Sequence, residues 1–149
     1  MRSLLVFLAI LSGGLFLTGC QTPPPAGQGS LAWVEIDGRT SAEIKQATVE
    51  VFKEDGYHLK TNSVATATFE KPGSTMNNLA YGGWDSGVTI RVIVHIDVQN
   101  NATQLLHCEA FMVRDVGDRS VEEAQRIHFR RGPYQELLNR VKAKLQSGP

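Results

Sequence analysis

The sequence has no surplus of basic residues. Its 149 residues include 15 Lys and Arg and 15 Asp and Glu, so the formal net charge at pH 7 is zero. A protein that binds nucleic acid needs extra cationic side chains, which neutralise phosphates and release their counterions. The balanced charge therefore argues against a nucleic-acid partner.

The sequence also lacks the short motifs that mark several enzyme classes. It has no GxSxG, HExxH, phosphate-loop or dinucleotide fingerprint, and no CxxC or Cys/His spacing typical of zinc sites. Cysteine is scarce, occurring at Cys20 and Cys108 alone. These absences predict a non-enzymatic protein that needs no cofactor.

An uncharged apolar run occurs near the N-terminus, but it is short for a membrane span. It extends from Leu4 to Leu17 and follows the positive start Met1-Arg2-Ser3. A helix needs about 20 apolar residues to cross a bilayer, whereas the apolar part of a signal peptide needs about 7–15. The run therefore predicts a signal peptide.

The run ends in Leu17-Thr18-Gly19-Cys20, which resembles the lipobox of bacterial lipoproteins: an aliphatic residue, two small residues and a cysteine. The resemblance implies that residues 1–19 are removed and that Cys20 is acylated. Two or more acyl chains anchor a protein stably, since each buried methylene contributes about 0.8 kcal/mol. Gln21, in place of an aspartate, implies the outer membrane of a two-membrane bacterium, with the protein facing the periplasm. The alternative is an ordinary signal peptide, or an uncleaved anchor, with a coincidental cysteine.

Two regions follow the predicted cleavage site. Residues 20–30 are rich in Pro, Gly and Gln and predict an extended, flexible tether behind the lipidated cysteine. Residues 31–147 form a single predicted domain, large enough to bury about two thirds of its chain surface. With Cys20 acylated, Cys108 would be the one remaining thiol, which excludes an internal disulfide.

The first half of the domain predicts a strand, a helix and a second β stretch. Leu31 to Ile36 is a short apolar strand, and Thr40-Ser41-Ala42-Glu43 is a capping-box pattern. Apolar residues at helical spacing then predict a helix from Ser41 to Asp55, ended by Gly56. Tyr57 to Lys71 is rich in β-favouring residues and predicts the next strand.

Two later stretches each carry a row of apolar or small residues at alternate positions. In Val88 to Val98 and in Gln104 to Arg114 this row falls on even numbers, which predicts two antiparallel strands with one buried face. Because a one-residue slip would expose a whole apolar row, paired residue numbers must sum to an even value. A three-residue loop at Asn100-Asn101-Ala102 satisfies this condition and places His95 opposite His107.

The C-terminal part predicts two helices. Ser120-Val121-Glu122-Glu123 is a second capping-box pattern before a short helix to about Arg130, and an apolar stripe predicts a helix from Pro133 to Gln146. The element order is β-α-β-β-β-α. We therefore predict an α+β domain with an antiparallel meander sheet of three to four strands and helices packed on one face.

This order, with the Gly56-Tyr57 step after the first helix, resembles the helix-grip domains of BamC lipoproteins over roughly Ala32 to Leu145. Those lipoproteins belong to the outer-membrane β-barrel assembly machinery. The resemblance implies a helix-grip-like domain that binds another envelope protein or helps assembly. It also implies an alternative, because helix-grip folds sometimes bind a small ligand between the C-terminal helix and the sheet.

The segment from Pro72 to Gly87 is a candidate partner-binding loop. It is longer than ordinary hairpin loops of about 2–5 residues, and it carries Tyr81 and Trp84 among glycines. Amphipathic aromatic rings are frequent anchors at binding surfaces. In the alternative interpretation, both rings fold back over a small core.

Histidines and arginines give further candidates. His95 and His107 could bind a divalent metal with Asp97 or Glu109, in a metal-dependent hydrolase, or they could form a solvated pair on a polar sheet face. Cys108 lies in the apolar row, and His107 points to the opposite face and cannot readily serve it as a base. A basic cluster near the last helix is either solvated or binds an anionic group or lipid head group; it comprises Arg126, His128, Arg130 and Arg131.

Overall fold

A computed structural model describes residues 29–74, 87–100, 102–114 and 122–147. Within these ranges the chain forms six antiparallel strands in one sheet and two helices, which confirms the predicted α+β class. In chain order the elements are β1 (Ala32–Asp37), α1 (Ser41–Glu54), β2 (His58–Asn62), β3 (Thr66–Pro72), β4 (Thr89–Val98), β5 (Thr103–Arg114), β6 (Glu123–Arg126) and α2 (Arg131–Ser147).

The sheet order is β1-β5-β4-β3-β2, and β6 also pairs with β5. Strand β4 pairs with β5 along most of its length, so β1 and β6 share the other edge of β5. Strand β1 takes the first half of that edge, beginning with Asp37 opposite Thr103, and β6 takes the end, with Arg126 opposite Phe111. The longest strand, β5, therefore pairs with β4 along one edge and with β1 and β6 along the other.

The predicted register of β4 and β5 is confirmed. His95 lies opposite His107, and every pair in this ladder has an even sum. The amide of Gln99 donates to the carbonyl of Thr103 at 3.1 Å, which leaves residues 100–102 as the connection. The Asn100 side chain accepts hydrogen bonds from two backbone amides of this turn, as asparagine commonly does.

Helix α1 begins at Ser41, as its sequence predicts, and ends at Glu54, one residue before the predicted end at Asp55. The Thr40 hydroxyl accepts from the Glu43 amide at 3.3 Å, and the Glu43 carboxylate accepts from the Thr40 amide at 2.8 Å, completing the capping box. After the helix, Gly56 has a φ of 85°, a left-handed conformation that costs glycine nothing. The chain then turns back into β2.

The core lies between the two helices and one face of the sheet. The even-numbered side chains of β4 and β5 meet the apolar stripes of α1 and α2 in one buried cluster. At its centre Phe52 of α1 stacks on Phe69 of β3, with ring centroids 4.4 Å apart. The fully buried aliphatic residues of the cluster include Ile44, Val51, Val92, Val94, Leu106, Leu138 and Val141.

The stretch predicted as one strand is two. Strands β2 and β3 are joined by a tight turn in which the Ser63 amide donates to the Thr66 carbonyl at 2.8 Å. Strand β2 is an exposed edge with a bulge between Leu59 and Thr61, so its polar pattern never shows the alternation that marks a buried strand. The described sheet consequently has more strands than the three to four predicted.

The short helix predicted before Arg130 is wrong in its described part, because Glu123–Arg126 forms β6. Strand β5 continues past the end of β1, and its last residues, Phe111 to Arg114, offer unpaired backbone groups that β6 satisfies. Tertiary pairing thus overrides the local helical pattern. Helix α2 begins at Arg131, two residues before the predicted start at Pro133, which lies in its first turn.

Candidate functional site

A cleft of about 600 Å³ opens between α2 and the sheet, on the same sheet face as the core. Small-molecule sites typically have volumes of about 300–1,000 Å³ and an apolar lining with a few placed polar groups. The floor of this cleft is apolar and at least nine-tenths buried; it consists of Ile90, Met112, Ile127 and Leu137.

Strand register explains how the floor is assembled. Ile90 and Met112 are direct partners in the β4–β5 ladder and lie on the even-numbered face. The Ile127 amide donates to the Ala110 carbonyl at 2.8 Å and prolongs the pairing of β6 by one residue. Because Arg126 points to the odd-numbered face, its neighbour Ile127 points to the helix side. Three strands therefore contribute one apolar surface beneath α2.

Two tyrosines lie within the cleft. Tyr57 follows α1 and is 4% exposed, and Tyr134 lies in the first turn of α2 and is 8% exposed. The described residues provide no hydrogen-bond partner for either hydroxyl. Burial, followed by the proximity of Tyr134, raises the pKa of Tyr57, and burial raises the pKa of Tyr134 to about 12. Both phenols are therefore protonated at neutral pH and can donate hydrogen bonds.

Charged side chains surround the mouth of the cleft. Lys71 lies 4.2 Å above the Tyr57 ring centroid, and its ammonium is 3.0 Å from the Asp55 carboxylate. Arg140 contacts the same carboxylate at 3.3 Å, so Asp55 is already matched by two cations. Arg130 is exposed and has no ion pair within the described ranges, although its charge acts on Tyr134. It is the cation at the mouth that a ligand could engage.

The predicted histidine pair is present on the opposite face of the sheet. The rings of His95 and His107 stack with centroids 4.9 Å apart and planes 13° apart. His107 hydrogen bonds to the Ser30 hydroxyl through Nδ1 at 2.8 Å and to the Asp97 carboxylate through Nε2 at 2.9 Å. Burial, followed by the proximity of His107, lowers the pKa of His95.

This arrangement does not assemble a metal site. Both ring nitrogens of His107 are occupied by protein groups, and stacked rings direct their nitrogen lone pairs edgewise instead of toward a shared point. No group of three or more His, Cys, Asp and Glu side chains in the described part of the chain could hold a metal ion. Glu109, the other candidate ligand, pairs with Arg126.

The order Ser30, His107, Asp97 has the hydroxyl–imidazole–carboxylate connectivity that activates nucleophiles in some hydrolases. These three side chains lie on the odd-numbered face, whereas the cleft lies on the even-numbered face, so the cleft cannot present a substrate to them. The same bonds fasten the chain just before β1 to the sheet. We assign them that structural role.

Cys108 is fully buried in the even-numbered row, where burial raises the pKa of its thiol to about 12. His107 points to the other face, as predicted, so it cannot serve the thiol as a base. The basic cluster divides between separate partners: Arg126 pairs with Glu109, and Arg131 donates to Gln135 at 3.0 Å. Of its arginines, Arg130 lines the cleft.

Cys20, Tyr81 and Trp84 lie outside the described residues, and their roles stay predictions. The described base of the candidate loop is nevertheless informative. The Gly73 amide donates to the Val88 carbonyl at 2.6 Å, and Ser74 lines the cleft. The described residues at the start of the candidate loop therefore lie at the cleft.

The resemblance to helix-grip domains implies an alternative ligand site between the C-terminal helix and the sheet, where the cleft lies, but it does not name the residues that line it. Tyr57 and Tyr134 occupy apolar positions beside the helices. A tyrosine in an otherwise aliphatic stripe indicates an apolar site with one polar group, because its ring is apolar and its hydroxyl is polar. The sequence shows this pattern. It does not show that Lys71, Met112 and Arg130 converge, since these residues come from elements whose arrangement only the sheet order reveals.

Comparisons with protein-family models, with curated proteins and with solved structures give no significant match to this chain. Neither helix in the described ranges has the length and apolar character needed to cross a membrane.

Proposed function

We propose that this chain is a lipoprotein anchored through acyl chains on Cys20 to the outer membrane, facing the periplasm. Its helix-grip-like domain is a non-enzymatic module that binds another envelope protein. The lipobox-like sequence Leu17-Thr18-Gly19-Cys20 supports the anchor, and the order of strands and helices supports the helix-grip likeness.

The cleft between α2 and the sheet carries the proposed binding role. It combines a buried apolar floor, two phenol donors and a cation at its mouth, which is the composition of a recognition site. Its described lining contains no histidine and no cysteine, the side chains that most often serve as catalytic base and nucleophile. Binding without catalysis is the function that this chemistry supports best.

The partner would contact the rim of the cleft. Phe129 at the mouth is 62% exposed, and an exposed aromatic ring beside an apolar cleft is a frequent anchor at interfaces. Tyr81 and Trp84, in the candidate loop that follows Ser74 in the sequence, are proposed to contact the same partner.

Photo-crosslinking in intact cells tests this proposal. A benzoylphenylalanine in place of Phe129 is expected to capture one envelope protein on irradiation. The same amino acid in place of Val64, which is 85% exposed on the far turn between β2 and β3, is the matched control and is expected to capture none. Equal capture from both positions, or none from Phe129, would contradict a binding role for the cleft.

A second candidate is a small ligand in the cleft. The specific observation that favours it is that Tyr57 and Tyr134 line the cleft with most of each ring buried and with hydroxyls that have no hydrogen-bond partner among the described residues.

A further inference from the structure

Resting on the proposed binding role of the cleft, we propose that it holds an apolar carboxylic acid of the fatty-acid type. The acyl chain lies along the floor formed by Ile90, Met112 and Ile127, and the carboxylate accepts hydrogen bonds from Tyr57 and Tyr134 near the guanidinium of Arg130.

The floor fits an acyl chain because it is continuous and aliphatic. Ile90 and Met112 are neighbours across β4 and β5, and Leu137 faces them from α2. Methionine adapts its flexible thioether to irregular apolar ligands, which suits a chain with many rotamers. Burial of methylene groups on such a surface supplies affinity without directional contacts.

The phenols determine the chemistry of the head group. Tyr57 and Tyr134 are both at least nine-tenths buried, line the same cleft and interact electrostatically with each other. Neither hydroxyl has a hydrogen-bond partner among the described residues, and neither oxygen is closed off from the cleft, so both can donate to a ligand acceptor. Since both phenols stay protonated at neutral pH, they match an acceptor that carries no proton, such as a carboxylate.

Arg130 is the cation at the mouth that an anion would meet, because Lys71 pairs with Asp55 and Arg140 pairs with Asp55 and Glu54. The lining holds three cations, Lys71, Arg130 and Arg140, and two carboxylates, Asp55 and Glu136. Asp55 is matched by Lys71 and Arg140 through the ion pairs described above. Arg130 stands immediately before α2, whose first turn contains no acidic residue, so its charge adds to the positive end of the helix dipole.

The experiment uses the full acylated chain in lipid nanodiscs and a palmitic acid that bears a diazirine near the middle of its chain. Irradiation followed by peptide mapping is expected to place the label on the segments that contain Met112 and Ile127. Excess palmitic acid should remove this label, whereas the same excess of methyl palmitate should not, because the ester has lost the anionic head.

Two variants test the head-group contacts. Tyr134→Phe keeps the ring and removes the donor, and Arg130→Gln removes the exposed cation. Each is expected to raise the concentration of palmitic acid needed for half-maximal competition about tenfold, as the loss of a hydrogen bond or ion pair to a charged group implies. Arg114→Gln changes a half-buried arginine outside the cleft lining, which pairs with Glu123; it is the control and should leave competition unchanged.

The outcomes separate this inference from the proposed function. Labels spread over exposed lysines and helix surfaces, or equal competition by methyl palmitate, would overturn the fatty-acid assignment. If the palmitic acid probe fails to label the cleft while a crosslinker at Phe129 still captures a protein, the assignment falls and the protein-binding function stands. If both experiments fail, both are overturned.

Discussion

The cleft predicts that two neighbouring leucines of α2 respond differently to the same substitution. Leu138 is fully buried against the sheet, whereas Leu137, 4% exposed, lines the cleft. Leu138→Ala and Leu137→Ala remove the same atoms from adjacent positions of one helix. The change in helix propensity is therefore matched. Any difference in the free energy of unfolding reports on the space around each side chain.

The magnitudes follow from burial. Removing three carbons costs about 2.4 kcal/mol in transfer free energy, at about 0.8 kcal/mol for each. At Leu138 the deletion also leaves a closed cavity, and one of roughly 60 Å³ would add about 1.4 kcal/mol. At Leu137 the deletion only widens a cleft that is already open. We expect losses of about 4 kcal/mol for Leu138→Ala and about 2.5 kcal/mol for Leu137→Ala.

Urea denaturation followed by circular dichroism measures both losses from the midpoint and the slope of the transition. The two variants should have the same denaturation slope as the parent chain, so that the difference in unfolding free energy appears as a difference between the midpoints. Equal losses at the two positions, or a larger loss for Leu137→Ala, would mean that no open space adjoins Leu137. That result would refute the cleft as the site of binding.

Three further outcomes are expected. Replacing Tyr81 and Trp84 together by alanine should abolish capture of the envelope partner in a pull-down and leave the melting temperature unchanged; a large drop in melting temperature would instead assign both rings to the core. Because burial raises the pKa of Cys108 to about 12, against 9.0 for an ordinary thiol, its thiolate fraction near pH 8 falls about a thousandfold. A thiol reagent should then modify it only after unfolding, and rapid modification of the folded chain would show the thiol to be accessible. The pKa of His95 in the folded chain lies below its ordinary value of 6.5. Between these two pKa values the unfolded chain binds more protons than the folded chain, so the free energy of unfolding falls as the pH drops below 6.5. His95→Gln should flatten this decline, and the exposed control His58→Gln should not. Identical profiles of unfolding free energy against pH for the two variants would contradict the burial of His95.

The elements that the sequence predicts well are those whose local pattern and tertiary environment agree. The alternation in β4 and β5 fixes their register, because a slip would expose a whole apolar row, and His95 opposite His107 follows directly. The capping box at Thr40 and Glu43 is purely local chemistry, and it forms as predicted.

The elements that the sequence predicts poorly depend on neighbours that are distant along the chain. Strand β6 exists because β5 extends beyond β1, which nothing in Glu123–Arg126 reveals. Strand β2 is a polar edge strand. It lacks an alternating apolar pattern because neither of its faces is fully covered by other parts of the protein. The lining of the cleft is harder still to foresee, since Tyr57, Met112 and Arg130 meet only after the whole sheet is assembled.

The anchor at Cys20 is the claim on which the envelope role depends, and intact mass spectrometry of the native chain extracted from membranes tests it most directly. We predict a polypeptide that begins at Cys20 and carries the added mass of a diacylglyceryl group on its sulfur together with an acyl group on its amino terminus. A chain that retains residues 1–19, or one whose Cys20 sulfur is unmodified, would contradict the account.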